Sequence, residues 1–309
     1  MSVATSLLPS HHDQFRTKEY WETFFRERGG EKFEWYGSYK NELDANILRK
    51  IQPSHAILVV GCGNSELSAE LYDDGFKQIT NVDFSPLVIQ EMIQKHGVAR
   101  PTMQWVVGDM TAMDGLGNES FDVVLDKGAL DALMSENTPE VTMKAIAMLD
   151  EITRVLSSKG VYLCVTLMES YICQTLLTYF SHPDREGMWS ITIEVIQNNQ
   201  NRKQPSPFKT FFVAIAKKHP NTLHTTKLSL SVDAYGNEIE VARLLQPVPE
   251  GVQEIARIHQ YHQKQYEMGD MRMGRFETID FWDPLSASPD IPRFSIIVVD
   301  TVGDLTLTM

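Results

Sequence analysis

The chain has 309 residues, 42% of them apolar, enough for a sizeable buried core in one main domain with an appendage. Its 28 lysines and arginines against 41 aspartates and glutamates give a net charge of -13, which argues against nucleic-acid phosphate as the main partner and is compatible with a basic one. Cys62, Cys164 and Cys173 form no Cys-x-x-Cys pair and cannot all bond to one another, which fits a reducing compartment and implies no zinc site.

The first fifteen residues lack a basic region followed by an apolar run, and no stretch is long enough to span a bilayer. The expectation is therefore a soluble, cytoplasmic protein with no membrane or direct nucleic-acid partner.

In chain order, residues 17–28 and 39–51 carry apolar side chains at helical spacing, and the compact aromatic segment Phe33, Trp35 and Tyr36 lies between them. Residues 56–60 form a continuous apolar run ended by Gly61, the mark of a strand buried on both faces. A helix follows over 65–74, closed by Gly75. The same alternation continues as a strand at 78–82, a helix at 85–96 opened by Ser85 and Pro86, and a strand at 103–107. Residues 121–125 read as a strand, 138–156 as a long helix, and 161–166 as a fifth strand after the turn at Lys159 and Gly160.

This order predicts an α/β fold of the Rossmann-like kind, a seven-stranded, mostly parallel sheet with helices on both faces. Residues 189–196 and 208–216, split by the polar segment 198–207, close it as a hairpin. The main domain is placed at 1–218. A small β-rich appendage over 219–309 follows, with strands at 226–232 and 239–244 around a turn at 234–237, a polar helix at 252–267, a loop at 284–292 and a last strand at 293–300.

The chemistry-bearing motif is Gly61-Cys62-Gly63-Asn64-Ser65, at the carboxyl end of the first strand and opening a helix. Glycine lets the backbone turn tightly and approach a ligand there. Asp83 follows Gly63 by about 20 residues at the end of the second strand, where a carboxylate meets ribose hydroxyls. Asp109 ends the third strand and is placed to accept from an adenine amino group, with Met110 packing on the ring. Each carboxylate alone could be a solvated loop residue or a helix cap; the ordered set points to a nucleoside cofactor.

The first turn lacks the third glycine of a pyrophosphate-binding loop, and Glu66 puts an anion where phosphate charge would sit. A cationic sulfonium tolerates that anion, which favours S-adenosyl-L-methionine and methyl transfer over hydride transfer. At the fourth tip, Asp126, Lys127 and Asp131 face the expected position of the methyl group. Nearby carboxylates can attract an ammonium and relay its proton; the less favoured alternative is that Asp126 and Asp131 are helix caps and Lys127 a surface residue. Trp21, Phe25, Trp35 and Tyr36 precede the glycine turn and either cover the cofactor or simply pack a core. His259 and His262 lie three apart on a predicted helix without a third ligand, which suits a solvated face better than a metal site. Met268, Met271 and Met273 suit gap filling.

These residues resemble the class I methyltransferases that modify lysine in translation elongation factor 1-alpha. The likeness rests on Tyr20-Trp21, Phe33-Glu34-Trp35-Tyr36-Gly37, the run from Val60 to Ser68, Asn81-Val82-Asp83-Phe84-Ser85, Gly108-Asp109-Met110-Thr111 and the run from Phe121 to Ala132. It covers about residues 17 to 218. The resemblance implies a protein-lysine N-methyltransferase acting on elongation factor 1-alpha, with cofactor contacts from Trp21, Phe25, Trp35, Gly61, Gly63, Asp83, Phe84, Asp109, Met110 and Lys127. Phe25 and Ala129 stand where relatives carry Tyr and Thr, so a role needing those hydroxyls is lost. Residues 292–300 resemble the connector after the first domain of a two-methyltransferase member, so only the lysine-modifying half is implied. A small-molecule methyltransferase and a non-catalytic scaffold remain as alternatives.

Overall fold

The computed structural model describes residues 9, 12–185, 188–196, 210–217, 226–232, 238–270, 277–281 and 294–298. The predicted polar segment 198–207, the turn at 234–237, the loop at 284–292, and Met271 and Met273 lie outside the described residues.

Strand β1 (Ile57–Val60) is buried along its whole length, as its unbroken apolar run requires. It lies between β2 (Ile79–Asp83) and β4 (Phe121–Lys127), and β3 (Gln104–Val107) and β5 (Leu156–Thr166) extend the sheet on either side, all parallel. Its side chains alternate between two cores. Leu58 and Val60 pack with helices α6 (Pro139–Val155) and α7 (Ser170–Phe180), whereas Ile57 and Val59 pack with α1 (Lys18–Arg28), α3 (Leu67–Asp73) and α4 (Pro86–His96). Helices therefore cover both faces.

Local chemistry sets the helix starts. Oγ of Ser85 accepts from the Val88 N–H and Oγ1 of Thr138 from the Val141 N–H, each followed by a proline in the first turn. Thr17 caps α1 in the same way. Residues 39–51 form a π-helical turn, Tyr39–Leu43, followed by the short α2 (Asp44–Leu48) rather than one even helix.

The sheet has nine strands, not the predicted seven, in the order β3-β2-β1-β4-β5-β7-β6-β8-β9. Strands β6 (Trp189–Val195) and β7 (Phe211–Lys217) pair antiparallel as the predicted hairpin, with β7 against β5. The extra two are β8 (Lys227–Val232) and β9 (Glu238–Leu245), which were read as part of an appendage. β8 hydrogen-bonds in parallel along β6, from Ser190 opposite Lys227 to Ile193 opposite Leu230. A two-stranded hairpin cannot bury its apolar face alone, and the open edge of β6 supplies the missing partner.

Helix α8 (Pro249–Asp270) follows, with Ile255 and Ile258 in the main core. Sequence reading passed over α7, whose residues Ile172, Cys173, Leu176, Leu177 and Phe180 are buried at helical spacing, and over β10 (Glu277–Phe281), which pairs antiparallel with β11 (Phe294–Val298). It also missed the short α5 (Ala129–Leu133). The predicted turn at Lys159 and Gly160 is a bulge inside β5, where the register jumps from Leu156 to Val161.

The described hairpin and helix thus share the main core. A Cβ on Gly251 of α8 would lie 2.5 Å from Cδ1 of Leu177 and 2.8 Å from Cδ2 of Leu228. Gly251→Ala overpacks this junction and should lower stability by about 1–3 kcal/mol in urea denaturation; an unchanged midpoint would show that α8 does not press on α7 and β8.

Candidate functional site

The parallel strands end together where the sheet order turns from β1 to β4, the position at which open α/β sheets leave a crevice. Gly61 leaves β1 with φ of 57°, and a Cβ there would lie 2.5 Å from Cβ of Ala129 at the start of α5. Only glycine allows this turn to pass so close to the fourth strand tip. The Cys62 N–H donates to the Val82 carbonyl at 3.1 Å, and the Gly63 N–H to Oδ2 of Asp83 at 2.9 Å, which stitches the first tip to the second. The Gly108 N–H donates to the Asp83 carbonyl at 3.0 Å and brings in the third. Oδ1 of Asp109 accepts from the backbone N–H and hydroxyl of Thr111, so its loop is folded on itself.

Gly61, Gly63, Asp83, Phe84, Asp109 and Met110 line one cavity of about 620 Å³. Asp83 is buried, and desolvation pushes its carboxyl up to about 6 against the N–H bonds from Ser85 and Gly63.

Trp21, Phe25 and Trp35 line the same cavity. Trp21 stacks on Phe25 with ring centroids 5.8 Å apart, and its indole N–H donates to the Phe15 carbonyl at 2.7 Å. Phe25 also belongs to the core beneath, so the aromatic segment both packs and lines.

What holds this segment over the strand tips is Glu34, a residue without an assigned role in the sequence reading. Its Oε2 accepts from Nζ of Lys127 at 2.9 Å and from Oγ of Ser65 at 2.8 Å, and Oε1 accepts from the Glu66 N–H at 2.7 Å. Nζ of Lys127 also donates to the Trp35 carbonyl at 2.9 Å. The pair is little exposed, 6% for the Lys127 side chain and 16% for that of Glu34. Desolvation lowers the Lys127 pKa while Glu34 opposes the shift. Lys127 lines the cavity, but it is an anchored cation and not the surface residue that its sequence position allowed.

The three residues of the fourth tip part company. Asp126 is buried and is not among the cavity-lining residues. Its oxygens accept from the Ala129 and Leu130 N–H groups, from the Tyr162 hydroxyl at 2.8 Å and from Sγ of Cys164. That is the geometry of a helix cap, with burial raising its carboxyl to about 6. The expectation that Asp126 faces the reacting group is corrected on this point, because all its acceptor capacity is spent inward.

Asp131 does line the cavity. Oδ1 accepts from Oγ1 of Thr166 at 3.1 Å and from the Leu167 N–H at 3.0 Å, whereas Oδ2 is buried with no hydrogen-bond partner among the described residues. Desolvation raises this carboxyl to about 7 despite those two bonds.

Tyr36 completes the wall. It adopts φ of 60°, uncommon for a bulky residue, and its ring lies where a Cβ on Gly128 would come within 2.9 Å. Burial and the Asp131 and Asp126 carboxylates push its hydroxyl well above the ordinary phenol range.

His259 is not among the cavity-lining residues; its ring is 5.3 Å from that of Phe211 and its Nε2 3.3 Å from the Met168 carbonyl. Among the described residues no group of His, Cys, Asp and Glu could hold a metal ion, and no helix is long and apolar enough to cross a membrane. The three cysteines are unpaired and buried. Glu34 had a sequence signal, a lone carboxylate inside an aromatic run; the cavity-lining Ser135 and Thr166's partner role had none.

The family model described as a methyltransferase domain matches residues 58–164, which hold the glycine turn, Asp83, Asp109 and the fourth tip. The eEF1A lysine and N-terminal methyltransferase of Homo sapiens is 41% identical over 197 residues, 64% of this chain and 27% of that protein. Its homolog from Drosophila pseudoobscura pseudoobscura is 33% identical over 299 residues, 96% of this chain and 43% of that protein. EEF1A lysine methyltransferase 4 of Mus musculus is 34% identical over 171 residues, 53% of this chain and 66% of that protein. The chain thus spans about a quarter of the length of the human relative. Residues 58–164 thus match a methyltransferase-domain model within a chain that is similar over 64% of its length to the human eEF1A lysine and N-terminal methyltransferase.

Proposed function

We propose that this protein is an S-adenosyl-L-methionine-dependent protein-lysine N-methyltransferase acting on translation elongation factor 1-alpha. One observation carries the reading: Gly61, Asp83, Asp109 and Asp131, from four neighbouring strand tips, line a single cavity. The substrate comes from the names of the relatives and from the resemblance of the aromatic and fourth-tip segments.

The residues fit an adenosyl sulfonium. Asp83 offers a buried carboxylate for ribose hydroxyls, and Asp109 and Met110 offer an acceptor and an apolar surface for the base. Glu34 and Glu66 take up the start of α3, which leaves no cationic cradle for a pyrophosphate there. Gly61 and Gly63 keep the backbone bare, and Phe84 adds a further wall. When bound, the cofactor supplies an electrophilic methyl group on sulfur.

Everything else is positioning, proton transfer and exclusion of water. Trp21, Phe25, Trp35 and Tyr36 wall the cavity with π faces that attract a cationic side chain. Asp131 draws in the lysine ammonium and, with its carboxyl near neutrality, takes its proton. Lys127 acts through Glu34 as the anchor of the aromatic segment, and Asp126 acts through α5 by capping it; both are positioning residues in this mechanism.

The decisive experiment is transfer of a radiolabelled methyl group into purified elongation factor 1-alpha, with the modified residue mapped by mass spectrometry. Label on a lysine is expected. Cofactor binding without any label in that protein would favour a small-molecule acceptor, and no cofactor binding would favour a scaffold.

Asp83→Asn should weaken binding of S-adenosylhomocysteine by about 1–3 kcal/mol above pH 7. Because burial raises the Asp83 carboxyl, its ionised form is lost as pH falls through about 6, and wild-type affinity should fall there too. Calorimetry across this range should find that fall absent in the variant; the same pH profile in both would remove Asp83 from the ribose site. Glu34→Ala leaves the Lys127 ammonium buried without its counter-ion and should destabilise the protein by about 3 kcal/mol in urea, with a parallel loss of cofactor affinity. Stability and affinity both unchanged would mean that the aromatic segment is held by packing alone.

A further inference from the structure

Helix α1 carries two of the aromatic residues that line the cavity, Trp21 and Phe25, four positions apart on one face. Glu22, next to Trp21, leaves the helix in another direction and meets the start of α4, where its Oε1 accepts from the Ser85 hydroxyl at 2.8 Å. Ser85 is fully buried, and it has two further bonds. Its Oγ accepts from the Val88 N–H at 3.2 Å, and its backbone N–H donates to Oδ1 of Asp83 at 3.0 Å. One serine therefore joins α1, the first turn of α4 and the carboxylate at the β2 tip. Neither Glu22 nor Ser85 is among the cavity-lining residues.

Phe24 and Phe25 share a core with Val88 and Ile89 of α4, so apolar contact alone would bring the two helices together. Such contact is non-directional and leaves a helix free to slide. The hydroxyl bond does not: the Ser85 oxygen faces the Val88 N–H, so its single proton is aimed at Glu22, and a charged acceptor makes that bond short and directional. Glu22 also acts at longer range. Burial raises the Asp83 carboxyl to about 6, and the Glu22 charge adds to that rise against the N–H groups of Ser85 and Gly63. Burial and then Glu22 raise the Glu91 carboxyl of α4 as well, and burial followed by Asp83 pushes the Cys62 thiol well above its usual range.

We propose that Glu22 is a positioning residue for cofactor binding: through Ser85 it fixes the aromatic helix at the level of the Asp83 carboxylate, so that the two rings and the ribose acceptor meet the cofactor as one wall. This rests on the cofactor reading and extends it to a residue outside the cavity. Glu34 ties the segment after α1 to the β4 tip, and Glu22 ties α1 itself to the β2 tip.

The test is calorimetric titration of the full chain with S-adenosylhomocysteine from about pH 5 to about pH 8, a range in which a raised carboxyl changes charge. Glu22→Ala removes acceptor and charge together, and affinity at the upper end should fall about tenfold. Glu22→Gln still offers the Ser85 hydroxyl an oxygen and should recover most of that loss. Lacking the charge, it lowers the Asp83 carboxyl, so the fall in affinity that the wild type shows through about 6 should move to lower pH. Ser85→Ala should weaken binding too, and adding Glu22→Ala to it should weaken binding little further, because the carboxylate acts through that hydroxyl.

Unchanged affinity in Glu22→Ala, a glutamine variant as weak as the alanine one, an acid break left at its wild-type position in Glu22→Gln, or a full second loss in the double variant would each overturn the proposal. Urea denaturation separates these losses from unfolding, and should either alanine variant fail to fold, the break in Glu22→Gln still decides. No binding of S-adenosylhomocysteine, or an Asp83→Asn variant that binds it normally, faults the cofactor reading and this proposal with it. A loss in Asp83→Asn beside indifferent Glu22 variants faults this proposal alone.

Discussion

The Glu34 carboxylate is the point on which the cavity depends. It receives a side-chain ammonium from the end of β4, and a hydroxyl and a backbone N–H from the adjacent Ser65 and Glu66 that lead into α3, so it joins two parts of the chain far apart in sequence. Two opposite charges removed from water this far are not a strong source of stability in themselves. Their effect is specificity of position, since neither charge can be left alone without a large penalty. The aromatic segment is thereby held over the strand tips, and the strained Tyr36 backbone is kept against the bare Gly128 surface.

Three aspartates around the site, Asp83 and Asp126 buried and Asp131 partly so, show how partner count differs among identical side chains. Asp126 accepts from four groups and is architecture. Asp83 ties two strand tips together through the N–H groups of Gly63 and Ser85 while still facing the cavity. Asp131 spends one oxygen on β5 and the residue after it and keeps the other bare. Burial raises all three carboxyls, to about 6 for the first two and about 7 for Asp131. Of the three, Asp131 alone combines a raised pKa with an oxygen that has no partner among the described residues.

The same economy explains the sheet. Ending at β6 would have left an apolar edge next to Ile191 and Ile193, both buried. The hairpin of β8 and β9 takes that edge, and α8 then lies on α7 with Ile255 and Ile258 in the shared core. Strands β8 and β9 and helix α8 thus complete the sheet on the side away from the glycine turn.

Local patterning determined a great deal in the sequence alone. The unbroken apolar run of β1, the caps Ser85 and Thr138, and the ordered glycine, Asp83 and Asp109 tips each depend on neighbours a few residues away, so the alternating α/β order and the residues that line the cavity at the strand tips could be read directly. What could not be read depends on pairs far apart in the chain. Glu34 meets Lys127 across 93 positions, β8 finds β6, and Asp131 shares one oxygen with Thr166 across 35. Asp126 and Asp131, five residues apart on one motif, were indistinguishable in sequence. Folding turned one towards Tyr162 and left the other among the cavity-lining residues with one oxygen unpartnered among the described residues, because the direction of a side chain is set by the packing of its element and not by its neighbours in the chain.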